Sequence, residues 1–106
     1  MNSRAAKTGR RAALPRRSDF ARGFLKDWRA LQHSGMNLAR LKQAMALLVA
    51  NDGPLDPEWR DHALSGNWQG FRECHAGGDL LLVYALRDDA STVIFVRAGS
   101  HSELFR

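Results

Sequence analysis

At 106 residues the chain has the length of one domain, enough to bury roughly 65% of its unfolded surface around a single core. The lone cysteine, Cys74, excludes an internal disulfide and a four-cysteine zinc site and points to a reducing, cytoplasmic setting; the longest apolar runs, "AMALLVA" and "LLLVYAL", fall well short of the roughly 20 residues that cross a bilayer, so a soluble protein with no membrane partner is expected. A formal net charge of +5 suits a nucleic-acid partner, but residues 1 to 17 carry six basic side chains and no acid, leaving ten basic and eleven acidic ones in residues 18 to 106.

The basicity therefore belongs mostly to the start of the chain. Residues 1–11 read as a flexible basic extension; a solvated tail, an arm facing RNA and a targeting segment all fit it, and it lacks the apolar run of a secretory signal. "AALP" is a candidate for one strand at a sheet edge. From Ser18 the apolar residues Phe20, Phe24, Leu25, Trp28 and Leu31 recur at helical spacing, with Ser18 as N-cap and Asp19 in the first turn. "HSG" ends that helix. Asn37 then caps a second stripe, Leu38, Leu41, Met45 and Leu48, which runs to the breaker "NDGP" at 51 to 54. Beyond residue 55 the period shortens: "FRECH", "LLLVYAL" and "STVIFVRA" are short, bounded by Gly or Asp pairs and rich in β-branched and aromatic residues, and read as three consecutive strands. Helices first and strands after predict an α+β fold, a helical hairpin packed on one face of a mainly antiparallel sheet of three or four strands.

The polar residues of the strand region form the candidate site. Alternation places Phe71, Glu73 and His75 on one face of "FRECH", with Arg72 and Cys74 turned the other way. His75 and Asp79 stand on either side of the short turn "AGGD", where a histidine and a carboxylate can meet, while Arg97 projects near the end of the last strand and His101 follows on "GSH". If the central strands are neighbours, His75, Asp79, Arg97 and His101 converge at one end of the sheet. Such a set suits phosphodiester cleavage by an internal nucleophile: RNA supplies its 2′-OH, so the protein needs a base, an acid and a cation for the developing phosphorane charge. Imidazole serves both proton roles, since its unperturbed pKa of ~6.5 leaves both forms populated near neutrality. A zinc site from His62, Cys74, His75 and His101 is the alternative, disfavoured because paired-ligand spacing is absent and Cys74 points away from His75.

"DHALSGNWQGFRECHAGGDLLLVYAL" followed by "VRAGSHSELF" resembles, in order and spacing, the YafQ-type branch of the RelE/ParE toxin superfamily, matching at Asp61, His62, Leu64, Gly66, Trp68, Gly70, Arg72, His75, Asp79, Tyr84, Arg97, Gly99, His101, Leu104 and Phe105. The likeness extends back over the helical hairpin to about residue 12. It implies the RelE-like fold over residues 12–106, with a short carboxy-terminal helical turn, and places His62, His75, Asp79 and His101 at catalytic positions and Arg97 and Phe105 at substrate-binding ones. The roles so implied are His75, oriented by Asp79, as base on the 2′-OH, His101 as acid, Arg97 on the phosphorane, and His62 on the phosphate or sharing proton transfer; acid and base labels are exchangeable. Gly77 and Gly78 stand where relatives often have a proline, and Leu80 where some have an aromatic residue, so codon preference does not carry over.

The activity the resemblance implies is that of a type II toxin: a ribosome-dependent mRNA endoribonuclease acting on mRNA in the ribosomal A site, without metal or small-molecule cofactor, leaving a 2′,3′-cyclic phosphate and a 5′-OH. A cognate antitoxin would neutralise it through a disordered segment that folds on binding. Two other functions stay open: a ParE-like gyrase poison acting by binding alone, which has no need of the histidines, and a non-catalytic ribosome- or RNA-binding module relying on the basic extension.

Overall fold

The structure, a computed structural model, describes residues 14–105; the extension expected over residues 1–11 lies outside them. Five strands form one sheet: β1 (Arg17–Phe20), β2 (His62–Ala63), β3 (Arg72–His75), β4 (Leu80–Arg87) and β5 (Thr92–Ser100). Their order is β1-β5-β4-β3-β2, with β1 parallel to β5 and the other pairs antiparallel. Helices α1 (Arg22–Ser34) and α2 (Ala39–Ala50) make the hairpin, and α3 (His101–Phe105) is the short carboxy-terminal turn. β3, β4 and β5 lie where alternation predicts them; the sheet exceeds the expected three or four strands through its two edges, β1 and β2.

One of those edges corrects the reading of Ser18. Arg17–Phe20 is a strand paired with Thr92–Phe95, α1 starts only at Arg22, and its N-cap is Ala21, which makes no side-chain cap bond. Pairing outweighs helical periodicity here because a bare β5 edge would leave backbone groups unmatched. The Ala21 N–H donates to the Phe95 carbonyl at 2.9 Å, and the Phe20 ring reaches Phe24 and Phe95, each at 5.7 Å. Arg16 fastens the same corner, donating to the Ala90 carbonyl from Nε (2.8 Å) and to the Leu48 carbonyl from Nη1 (2.7 Å).

The helix boundaries otherwise follow the stop signals. Gly35 ends α1 in the left-handed region at φ 77°, and Asn51 ends α2 in the same way, its N–H donating to the Leu47 carbonyl. Asn37 accepts the Ala39 N–H at 2.9 Å, one position ahead of the formal cap.

Alternation along the strands sorts side chains into two clusters. Cys74, Leu82, Tyr84, Val93 and Phe95 face the hairpin and meet Phe24, Leu41, Ala44, Leu48 and Trp59, all buried. Leu81 and Val83 face the other way, under Leu104 and the half-buried Leu64, Trp68, Phe71, Val96 and Phe105. A bulge interrupts β5: Tyr84 lies opposite Phe95 but Val83 opposite Arg97, so Val96 is the extra residue. Among the described residues no helix is long and apolar enough to cross a membrane.

Candidate active site on the open face of the sheet

His62 on β2 lies directly across from Glu73 on β3. Glu73 Oε2 is 3.3 Å from His62 Nε2 and 3.7 Å from His75 Nε2, and the two rings stand 6.4 Å apart. The carboxylate is buried, only 6% exposed, whereas both histidines reach solvent. A buried carboxylate is costly unless partnered, and its partners here are two imidazoles. His62 Nδ1 lies 2.7 Å from the Arg60 carbonyl, which can only accept, so Nδ1 carries a proton and Nε2 is the nitrogen turned to Glu73. A second proton on Nε2 would be matched by the carboxylate, leaving the imidazolium satisfied at both nitrogens.

His101 reaches the same face from β5. His75 and Gly99 both pair with Leu81, so two strand spacings, about 10 Å, separate their backbones. Ser100 and Glu103 fix the start of α3 by a reciprocal cap: Glu103 Oε1 accepts the Ser100 N–H (2.8 Å) and Ser100 Oγ accepts the Glu103 N–H (3.3 Å). Gly99 makes room for it, because a Cβ there would fall 2.9 Å from Glu103 Oε1. The exposed His101 ring is 5.2 Å from Phe105, which meets Trp68 edge-on at 5.2 Å; Trp68 in turn meets Phe71 edge-on at 5.4 Å. An aromatic wall thus runs from His101 toward β3.

Two expected members of the site stand elsewhere. Asp79 is exposed in the turn before β4 and forms no ion pair with a described residue; the carboxylate beside His75 is Glu73. The turn explains this, since Gly77 and Gly78 at φ 99° and 55° close it tightly and leave Asp79 at its outer corner. Asp79 borders instead a groove of about 780 Å³ between the hairpin and the strand ends, with Leu31, Met36, Arg40, Ser100 and Leu104. Arg97 does not project freely: Nε and Nη2 donate to Asp27 of α1 at 2.7 and 3.2 Å, and Asp27 Oδ2 also accepts the Ala98 N–H at 2.9 Å. The bond to Asp27 raises the guanidinium pKa further. The zinc set weighed above is not assembled, because Cys74 is buried against the hairpin on the far face and burial pushes its thiol up to about 12.

Two polar residues thus enter that the sequence did not point to as part of the site: Glu73 and Asp27. The first had a signal, since it shares a face with His75. The capping pattern "SHSE" was likewise legible at the start of α3.

Comparison with known proteins agrees with this fold. A family model described as the bacterial toxin of type II toxin-antitoxin systems, YafQ, matches residues 16–106. The mRNA interferase toxin YafQ of Escherichia coli (strain K12) is 34% identical over 92 residues, covering 87% of this chain and 98% of that protein. Among solved structures, the E. coli DinJ-YafQ toxin-antitoxin complex matches with a TM-score of 0.78 at 33% identity, over 88% of this chain and 100% of that one. A metal-bound toxin from Helicobacter pylori matches with a TM-score of 0.74 at 42% identity, over 84% and 98%.

Proposed function

The chain belongs to the YafQ family of type II toxin-antitoxin toxins, and from that membership we propose that it is an mRNA interferase, a ribosome-dependent endoribonuclease held in check by a cognate antitoxin and acting in the cytoplasm. One observation carries the chemistry: two imidazoles share a single buried carboxylate on the face the helices leave open, with a third histidine on the same face.

The reaction needs no nucleophile from the protein. His75, whose Nδ1 makes no hydrogen bond among the described residues, accepts the proton of the 2′-OH; the 2′ oxygen then attacks phosphorus. His101 gives a proton to the departing 5′ oxygen, so the products are a 2′,3′-cyclic phosphate and a 5′-OH, and no atom is left over. Glu73 orients His62 and His75 and balances a proton on either, in place of the orientation expected from Asp79. With Arg97 tied to Asp27, His62 rather than Arg97 is assigned to the phosphorane. Phe105 and Trp68 offer aromatic surface beside His101 on which a splayed base can stack.

Primer extension on mRNA in purified translating ribosomes tests the reading, comparing wild type, His101→Ala and a reaction without ribosomes. Codon-phased cuts that need both the ribosome and His101 are expected. If both proteins stop growth or gyrase and neither cuts RNA, the fold acts by binding. Cleavage should also persist with a transition-metal chelator at fixed Mg²⁺; loss of activity restored by zinc or copper would call for a resident metal, a point the metal-bound relative makes worth checking.

A further inference from the structure

On the hairpin side of the sheet, directly behind His62, three side chains close a triangle. Arg72 donates to Asp61 Oδ2 from Nη2 (3.2 Å) and to the Tyr84 hydroxyl from Nε (3.2 Å), and the Tyr84 hydroxyl donates to Asp61 Oδ1. Tyr84 is 1% exposed, and burial together with the Asp61 bond raises its pKa, so the hydroxyl keeps its donor proton at any pH the protein meets. The proposed reaction uses none of these groups.

Their placement matters because β2 is only two residues long and lies at the sheet edge, paired to β3 alone. So short a strand is a weak anchor by itself. Consecutive side chains in a strand point to opposite faces, so whatever fixes Asp61 on the hairpin side also fixes His62 on the open side. Arg60, just ahead, is in the left-handed region at φ 49° with its carbonyl on His62 Nδ1, and β2 begins directly after Asp61. We infer that Asp61, Arg72 and Tyr84 form a clasp through the sheet, positioning residues that hold His62 against Glu73. This rests on the reading that His62 takes part in RNA cleavage.

A double-mutant comparison separates the two ideas. Tyr84→Phe keeps the ring and removes one hydroxyl; single-turnover cleavage on ribosomes should slow about tenfold to a hundredfold, with the apparent affinity for ribosomes unchanged. In a His62→Ala background the same change should have no further effect. In parallel, the imidazole NMR signals of His62 should move in Tyr84→Phe while those of His101 stay. Equal slowing in both backgrounds, or an unmoved His62 signal, overturns the clasp. A moved signal with His62→Ala as active as wild type overturns the role of His62 in cleavage and leaves the clasp standing. Arg72→Lys, which retains the charge but loses the two-point geometry, is the second variant if Tyr84→Phe melts early; it should shift the same signal.

Discussion

Glu73 and Cys74 are neighbours on β3 and both are almost fully buried, one on each face of the sheet. On the hairpin face Cys74 is enclosed by hydrocarbon, so its thiol is held protonated and unreactive. Across the sheet Glu73 is enclosed beside two histidines, and its charge has partners that can exchange protons. Equal burial thus yields an inert group among apolar side chains and, on the proposed reaction, an orienting one beside two imidazoles. The closed face holds the fold together, and the open face carries the chemistry of the proposed reaction.

The sharpest way to break that division is to strike each face once. His75→Ala is expected to lower single-turnover cleavage by roughly 10²–10⁴-fold with the melting temperature nearly unchanged, since the ring is partly exposed. The wild-type rate should be bell-shaped in pH, as a paired acid and base demand; a rate that rises on one side only would remove one histidine from the mechanism. Leu82→Ala, at a fully buried site facing the hairpin, should do the reverse: a loss of about 2–5 kcal/mol in denaturant unfolding with an unaltered rate per folded molecule.

Cys74 gives a finer test. Its thiol should resist alkylation at pH 8 in the native protein and react at once on unfolding. Because the folded thiol ionises only near 12, the unfolded chain releases that proton first, and stability should fall as pH rises from about 9 to about 12. Cys74→Ala should flatten that slope. The smallest expected effect lies at the turn between β4 and β5, where Asp88, Asp89 and Ala90 are all left-handed at φ 55°, 60° and 64°. Alanine has no side-chain hydrogen bond to offset that conformation, so Ala90→Gly should stabilise by about 0.5–1 kcal/mol, read as a rise in melting temperature.

Much of this was legible. The α1–α2 hairpin, the strands β3, β4 and β5 and the opposed faces of Glu73 and Cys74 all follow from local periodicity and stop signals. What escaped depends on partners far along the chain. Phe20 fits a helical stripe as well as a strand, and only the distant β5 edge decides between them. His62 meets Glu73 through a two-residue strand, too short to show any period. Arg97 finds Asp27 70 positions away on α1, and two glycines set Asp79 at the corner of its turn. Periodicity reports which face a residue occupies; it does not report which neighbour waits there.

The parallel pairing of β1 with β5 has a consequence in time. Arg16 and the Ala90 carbonyl it bonds are 74 positions apart, and His101 is made only after all of β5. Chains grow from the amino end, and non-local pairs wait for both members to exist. While its own message is being read, the nascent chain has neither the strand that seats β1 nor the third histidine. On the proposed function, the growing chain therefore lacks a complete site for cutting the message it is read from until β5 and α3 have been made.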